Sequence, residues 1–171
     1  MYNRRTYIAV AINISVIILE ILSLVMTAAK SGLSMLLFYT VDSNLLAMAG
    51  CIAFLIYAIR LIRGTAASVP PAVKLLKYMS VCCLSITFIV VVCFLAPMNG
   101  LSGYVMMMLK NEFLFHHLLC PLLCIVSFIL FERGYEIPPK HMLASLIPTA
   151  AYAIPLITLN ITDKVHDCFN A

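Results

Sequence analysis

The chain has 171 residues, 64% of them hydrophobic and only 11% charged, with a formal net charge of +4 and a mean hydropathy of +1.07. A soluble domain carries nearer ~25% charged residues, and one of this length could not hide so much apolar surface from water. Nor does the positive balance point to nucleic acid, because the basic residues are neither clustered nor interleaved with aromatics as a binding stripe requires.

A hydrocarbon core about 30 Å thick takes about 20 apolar residues per helical span. Five stretches meet that length, at 7–29, 44–62, 78–98, 113–131 and 142–162. Their length and lack of alternation favour helices over barrel strands. The expectation is an all-α polytopic transmembrane bundle forming a single domain over residues 1–171, in contact with membrane lipids.

The first stretch has Arg4 and Arg5 before it and ends on Thr27-Ala28-Ala29, which resembles a signal-peptide cleavage site. It is longer than a signal-peptide apolar region and carries Glu20, so it reads as a retained helix. Asn13, Ser23 and Thr27 fall on the face of Glu20. A charge at the bilayer centre costs about 2.5–3.5 kcal/mol on insertion scales, so this stripe faces the bundle. There it either hydrogen-bonds between helices or takes a direct part in chemistry.

The second span opens with Phe38-Tyr39-Thr40-Val41-Asp42-Ser43-Asn44-Leu45-Leu46. Asp42 or Ser43 is a natural helix cap. Thr40, Asn44, Ala47 and Cys51 share a face if the helix already includes Thr40, and capping leaves Asn44 unexplained. Residues 63–77 contain Val69-Pro70-Pro71; proline disfavours helix in the residue before it, so an ordered turn is expected here. In residues 99–111, Gly100, Gly103, Tyr104 and three methionines suggest an interfacial helix lying on the membrane surface.

The fourth span opens with Glu112-Phe113-Leu114-Phe115-His116-His117-Leu118-Leu119-Cys120-Pro121. At α-helical spacing Glu112, His116, Cys120 and Cys124 form one face, and His117 points about 100° away. In the fifth span Ser145, Thr149 and Ala153 recur every four residues, a spacing that lets helices approach closely. Pro148 and Pro155 are expected to kink it. Six of the seven cysteines lie inside spans without paired CxxC spacing, so packing explains them better than a metal or disulfide framework.

Charge placement supplies a topology. Arg4, Arg5, Arg60, Arg63, Lys74, Lys77, Arg133 and Lys140 fall on one side, and Lys30, Lys110 and Lys164 on the other. The basic side is cytoplasmic, which puts the N-terminus inside a cell membrane and the C-terminus outside. Thr40, Asn44, Glu112, His116 and His117 then share the outer leaflet, with Asp163, His166 and Asp167 on that side. A threonine hydroxyl needs an adjacent base to act as a nucleophile, and histidine is the usual one. Glu112, one turn from His116, is placed to fix its tautomer. Asn44 or the free N–H groups opening the second span would face an oxyanion. Adjacent histidines diverge on a helix and no other span carries one, so neither a metal nor a haem or other cofactor is expected.

The segments around Thr40 and around His116-His117 resemble the two signature regions of the androgen-induced-protein-like membrane hydrolases, especially the bacterial membrane proteins grouped with that family. The span order agrees over most of the chain. The resemblance implies a multi-span hydrolase of lipid esters such as fatty-acid esters of hydroxy fatty acids, with Thr40 as nucleophile and a histidine before Pro121 as base. The animal pattern selects His116 and the bacterial pattern His117. Relatives carry a sixth span preceded by a Tyr-Pro segment; here the chain stops at Asp167-Cys168-Phe169-Asn170-Ala171, so a C-terminally shortened chain is expected. The alternative is a non-catalytic ligand-binding, transport-related or structural membrane protein whose buried polar groups, Glu20 among them, hold the helices. Five spans without an inverted repeat argue against a complete secondary transporter.

Overall fold

A computed structural model describes residues 4–132 and 138–161. Lys164, His166, Asp163, Asp167, Cys168 and Arg133 lie outside the described residues, as does the side chain of Lys140. The described chain holds five helices long and apolar enough to cross a membrane, and the protein is an all-α integral membrane protein.

Helix α1 (Arg4–Ser31), α2 (Tyr39–Ile62), α3 (Pro71–Val90) and α5 (Leu114–Phe131) close a four-helix ring. In it α1 packs on α2 and α5, α2 on α3, and α3 on α5. Small residues set the spacing. Ala47, Cys51, Cys120 and Cys124 are almost wholly buried with Val16 and Leu84, and a Cβ on Gly50 would lie 3.0 Å from Ser80 Oγ. Without a hydrophobic drive between helices in lipid, such close backbone approach supplies the association energy through dispersion contacts. Cys120 and Cys124 pack in this core, while Cys51 Sγ also lies 2.9 Å from Lys77 Nζ. The exposed Ile, Leu, Val and Phe side chains on the outside of the ring are what a lipid-facing surface requires.

Span boundaries differ from the hydropathy reading at two places. The second helix starts at Tyr39, with Phe38 as its N-cap, and Asp42 N–H already bonds to Phe38 O. Asp42 and Ser43 therefore cap nothing and lie inside the helix. The third helix begins at Pro71, with Pro70 as its N-cap. A proline at the first helical position loses no hydrogen bond and brings a φ suited to the helix, so the Pro-Pro pair starts a helix as well as ending a turn. That early start carries Lys77 into the bundle.

Beyond α3 the chain passes through a wider turn at Val91–Leu95 and a break at Gly100, which has φ +60°. Helix α4 (Gly100–Tyr104) then folds back on the end of α3. Tyr104 donates its hydroxyl proton to Val92 O at 3.2 Å, and a Cβ on Gly103 would overlap the Ala96 carbonyl oxygen. The segment expected to form an interfacial helix doubles back on the end of α3, because Gly103 permits the close contact. Its continuation, Val105–Leu109, brings Met106 and Met107 to the ring. Helix α6 (Leu143–Ile161) contains Pro155 and has no buried residue. It leans on α3 and touches α2 where Tyr39 Oη and Thr149 Oγ1 lie 2.8 Å apart.

Candidate functional site

Helices α1 and α5 run antiparallel. The polar stripe of α1 thus meets two separate sets of partners, one at each end of α5.

At the first end, residues 114–119 of α5 form a π-helical turn with i→i+5 hydrogen bonds, Cys120 N–H reaching Phe115 O. Proline explains why this turn needs help. The next bond in the ladder would run from residue 121 to His116 O, but Pro121 has no N–H. Asn44 Nδ2 fills the gap, donating to His116 O at 3.1 Å and to Thr40 O at 2.7 Å. Both amide protons of Asn44 are thereby committed, so the expected oxyanion role of Asn44 is not available in this arrangement. The wider turn also reduces the angle between successive side chains, and His116 and His117 are both buried, 2% and 8% exposed. The rings still diverge, His116 turning to Thr27 and Glu20 of α1 and His117 to Met107 and Phe113.

The two rings differ in what they touch. Thr27 Oγ1 donates to Ser23 O at 2.9 Å and lies 3.2 Å from His116 Nε2. With the Thr27 proton on Ser23 O, the Nε2–H tautomer of His116 completes the pair by donating to Thr27. His116 Nδ1 faces Glu20 Oε2 at 3.4 Å, an ion-pair distance without hydrogen-bond alignment. His117 Nδ1 lies 2.6 Å from Met107 O. A carbonyl oxygen only accepts, so Nδ1 is the protonated nitrogen and Nε2 holds a free lone pair. Its ring stacks on Phe113, centroids 5.1 Å apart.

Glu112 does not orient His116. Its carboxylate takes a 2.6 Å bond from Lys30 Nζ, and the carboxylate beside His116 is Glu20, from another helix. Burial pushes the Glu112 carboxyl up, but the Lys30 hydrogen bond, a backbone hydrogen bond and the Lys30 charge together outweigh it and hold the group below its usual value.

Thr40, His116 and His117 line one cavity of about 350 Å³, walled mostly by apolar groups including Phe38, Val41 and Met106, with Thr27 and Glu112 also at its surface. The Thr40 hydroxyl has no hydrogen bond to any described residue, and its amide N–H, in the first turn of α2, makes no backbone bond.

The other end of the ring holds a second buried centre that sequence reasoning missed. Lys77 is 2% exposed, with Nζ 2.5 Å from Asn13 Oδ1 and 2.9 Å from Cys51 Sγ. Glu132 Oε1 lies 3.7 Å from Lys77 Nζ and accepts from Asn13 Nδ2 at 2.8 Å and from Ser127 Oγ at 2.6 Å. Lys77, counted among the topology-setting cations, is thus a ring-closing residue joining α1, α2, α3 and α5. The signal in the sequence was Pro71 at a helix start, six residues before Lys77.

Compared with protein-family models, curated proteins and solved structures, the chain matches none of them.

Proposed function

We propose that the protein is a membrane-embedded lipid-ester hydrolase in which Thr40 is the nucleophile and His117 the base. The observation that supports this reading best is the tautomer of His117: Nδ1–H is held by Met107 O, which leaves Nε2 as the basic nitrogen of a ring that lines one cavity with Thr40. In this mechanism Nε2 takes the Thr40 hydroxyl proton as Oγ1 attacks the ester carbonyl. The imidazolium so formed keeps its Nδ1–H bond to Met107 O. It then returns the proton to the departing alcohol, leaving an acyl group on Thr40 that water removes by the same base. The Thr40 N–H, unused by the helix, is the donor nearest in sequence to the developing oxyanion. His116 is a positioning residue, because its Nε2 proton is committed to Thr27. A mostly apolar wall suits an acyl chain, and the resemblance in the two signature segments points to the same chemistry. With the basic side inward, the cavity opens toward the outer leaflet of the cell membrane.

The alternative is a binding protein whose polar groups only hold helices and ligand. Asn44 and Thr27 favour it, since each spends its donor protons on structural bonds, Asn44 on Thr40 O and His116 O and Thr27 on Ser23 O. Labelling by a fluorophosphonate probe in nanodiscs separates the two. Loss of labelling in Thr40→Ala and His117→Ala, with folded His116→Ala still labelled, is expected for the hydrolase. Undiminished labelling of Thr40→Ala would sink it.

A further inference from the structure

Asp42 lies two residues beyond Thr40, about 200° around the helix, and faces a different cavity. This groove between α2 and α6 has a volume of about 310 Å³ and is lined by Tyr39, Asp42 and Tyr152. It runs on into a cleft of about 150 Å³ that Asp42 and Tyr152 share with Leu36, Pro155 and Leu156. The two tyrosine rings lie 5.1 Å apart at 60°. Their hydroxyls are tied down, Tyr39 to Thr149 at 2.8 Å and Tyr152 to Leu37 O at 2.7 Å, so the rings are held before any ligand arrives. The Asp42 carboxylate has no hydrogen bond or ion pair with any described residue. Helix capping does not account for it, because the helix begins at Tyr39.

Asp42 lies in the first turn of α2, where the helix N-terminus suits a carboxylate, and its side chain borders the groove. Two fixed aromatic rings beside a carboxylate favour a cation, and ring faces attract ammonium groups through their quadrupole. We propose that this groove binds an ammonium group carried on an apolar chain. The cation sits between Asp42 and the tyrosines, and the chain lies in the cleft along Pro155 and Leu156. Two sources share this chemistry, an ammonium-bearing lipid headgroup and a free alkylamine. The site is independent of the Thr40 cavity, so either reading can fail without the other.

The test uses the full chain in nanodiscs of equimolar phosphatidylethanolamine and phosphatidylglycerol, with retained lipid counted by native mass spectrometry. A second arm follows thermal stability in phosphatidylglycerol nanodiscs with n-hexylamine or neutral n-hexanol. Several-fold enrichment of phosphatidylethanolamine, lost in Asp42→Asn and kept in Asp42→Glu, supports the lipid source. Stabilisation by hexylamine alone, absent in Asp42→Asn, supports the free amine. Tyr152→Leu should weaken either by about 2- to 30-fold, and it decides the matter if Asp42→Asn does not fold. Neither enrichment nor hexylamine stabilisation, or effects that survive both substitutions, would overturn the proposal.

Discussion

The pairing of Asn44 with the backbone gap at Pro121 makes a quantitative prediction. In Asn44→Leu, the buried His116 carbonyl loses its only side-chain donor and has no helical donor, because residue 121 is proline. Thr40 O is less affected, since Ser43 Oγ also donates to it at 2.9 Å. Pro121→Ala restores an N–H at the position the i→i+5 ladder requires, so in that background His116 O no longer depends on Asn44. Volume changes and the unpartnered Asn44 Oδ1 enter both backgrounds alike and cancel in a double-mutant cycle. What remains is one interhelical hydrogen bond, which in membrane proteins averages about 0.6 kcal/mol and reaches about 1.7 kcal/mol. Asn44→Leu should therefore cost about 0.6–1.7 kcal/mol less in the Pro121→Ala background than in the wild-type chain. The assay is unfolding of the four proteins by sodium dodecyl sulfate in mixed micelles, followed by circular dichroism. Additive costs, within about 0.3–0.5 kcal/mol, would refute the account of the π turn.

Other expectations follow from the same geometry. Lys77→Met should destabilise by about 3–5 kcal/mol, because it leaves Glu132 buried beside one cation fewer, and adding Glu132→Gln should recover much of the loss; equilibrium unfolding checks both. Gly103→Ala places a methyl on the Ala96 carbonyl, so the fold-back must open, detaching Met107 from His117; increased protease cleavage within 97–109 and lower probe labelling are the readouts. Glu112 has its carboxyl held low in the folded state, so the Lys30 pair contributes stability above its ordinary value of 4.5 that is lost as pH falls through the lower folded value. A pH titration of stability should show that acid loss in wild type and a shallower one in Glu112→Gln.

The five spans were legible because uninterrupted apolar length is a one-dimensional signal, and the inward stripe of α1 because its period is that of a single helix. Asn13, Glu20, Ser23 and Thr27 are all buried as that period requires. What failed to show was whatever depends on a second chain segment. Glu112 reads as the partner of His116 from spacing alone, yet Lys30 captures it from α1. The burial of both histidines depends on two different neighbours, α1 for His116 and the Met107 segment for His117, which spacing on one helix cannot display. Lys77 stands just before the hydropathy edge at Tyr78, and a buried cation looks the same as a loop cation until Asn13, Cys51 and Glu132 close around it. Thr40 shares a face with Asn44, because α2 begins at Tyr39 and so includes it.

The central claim is turnover. A fluorogenic long-chain ester, presented to wild type, Thr40→Ala, Thr40→Ser and His117→Ala in nanodiscs, tests it most directly. The account predicts multiple turnovers by wild type, residual activity in Thr40→Ser, and a loss of at least about 100-fold in both alanine variants, as expected for removing a nucleophile or its base. Hydrolysis by folded Thr40→Ala at the wild-type rate would contradict it.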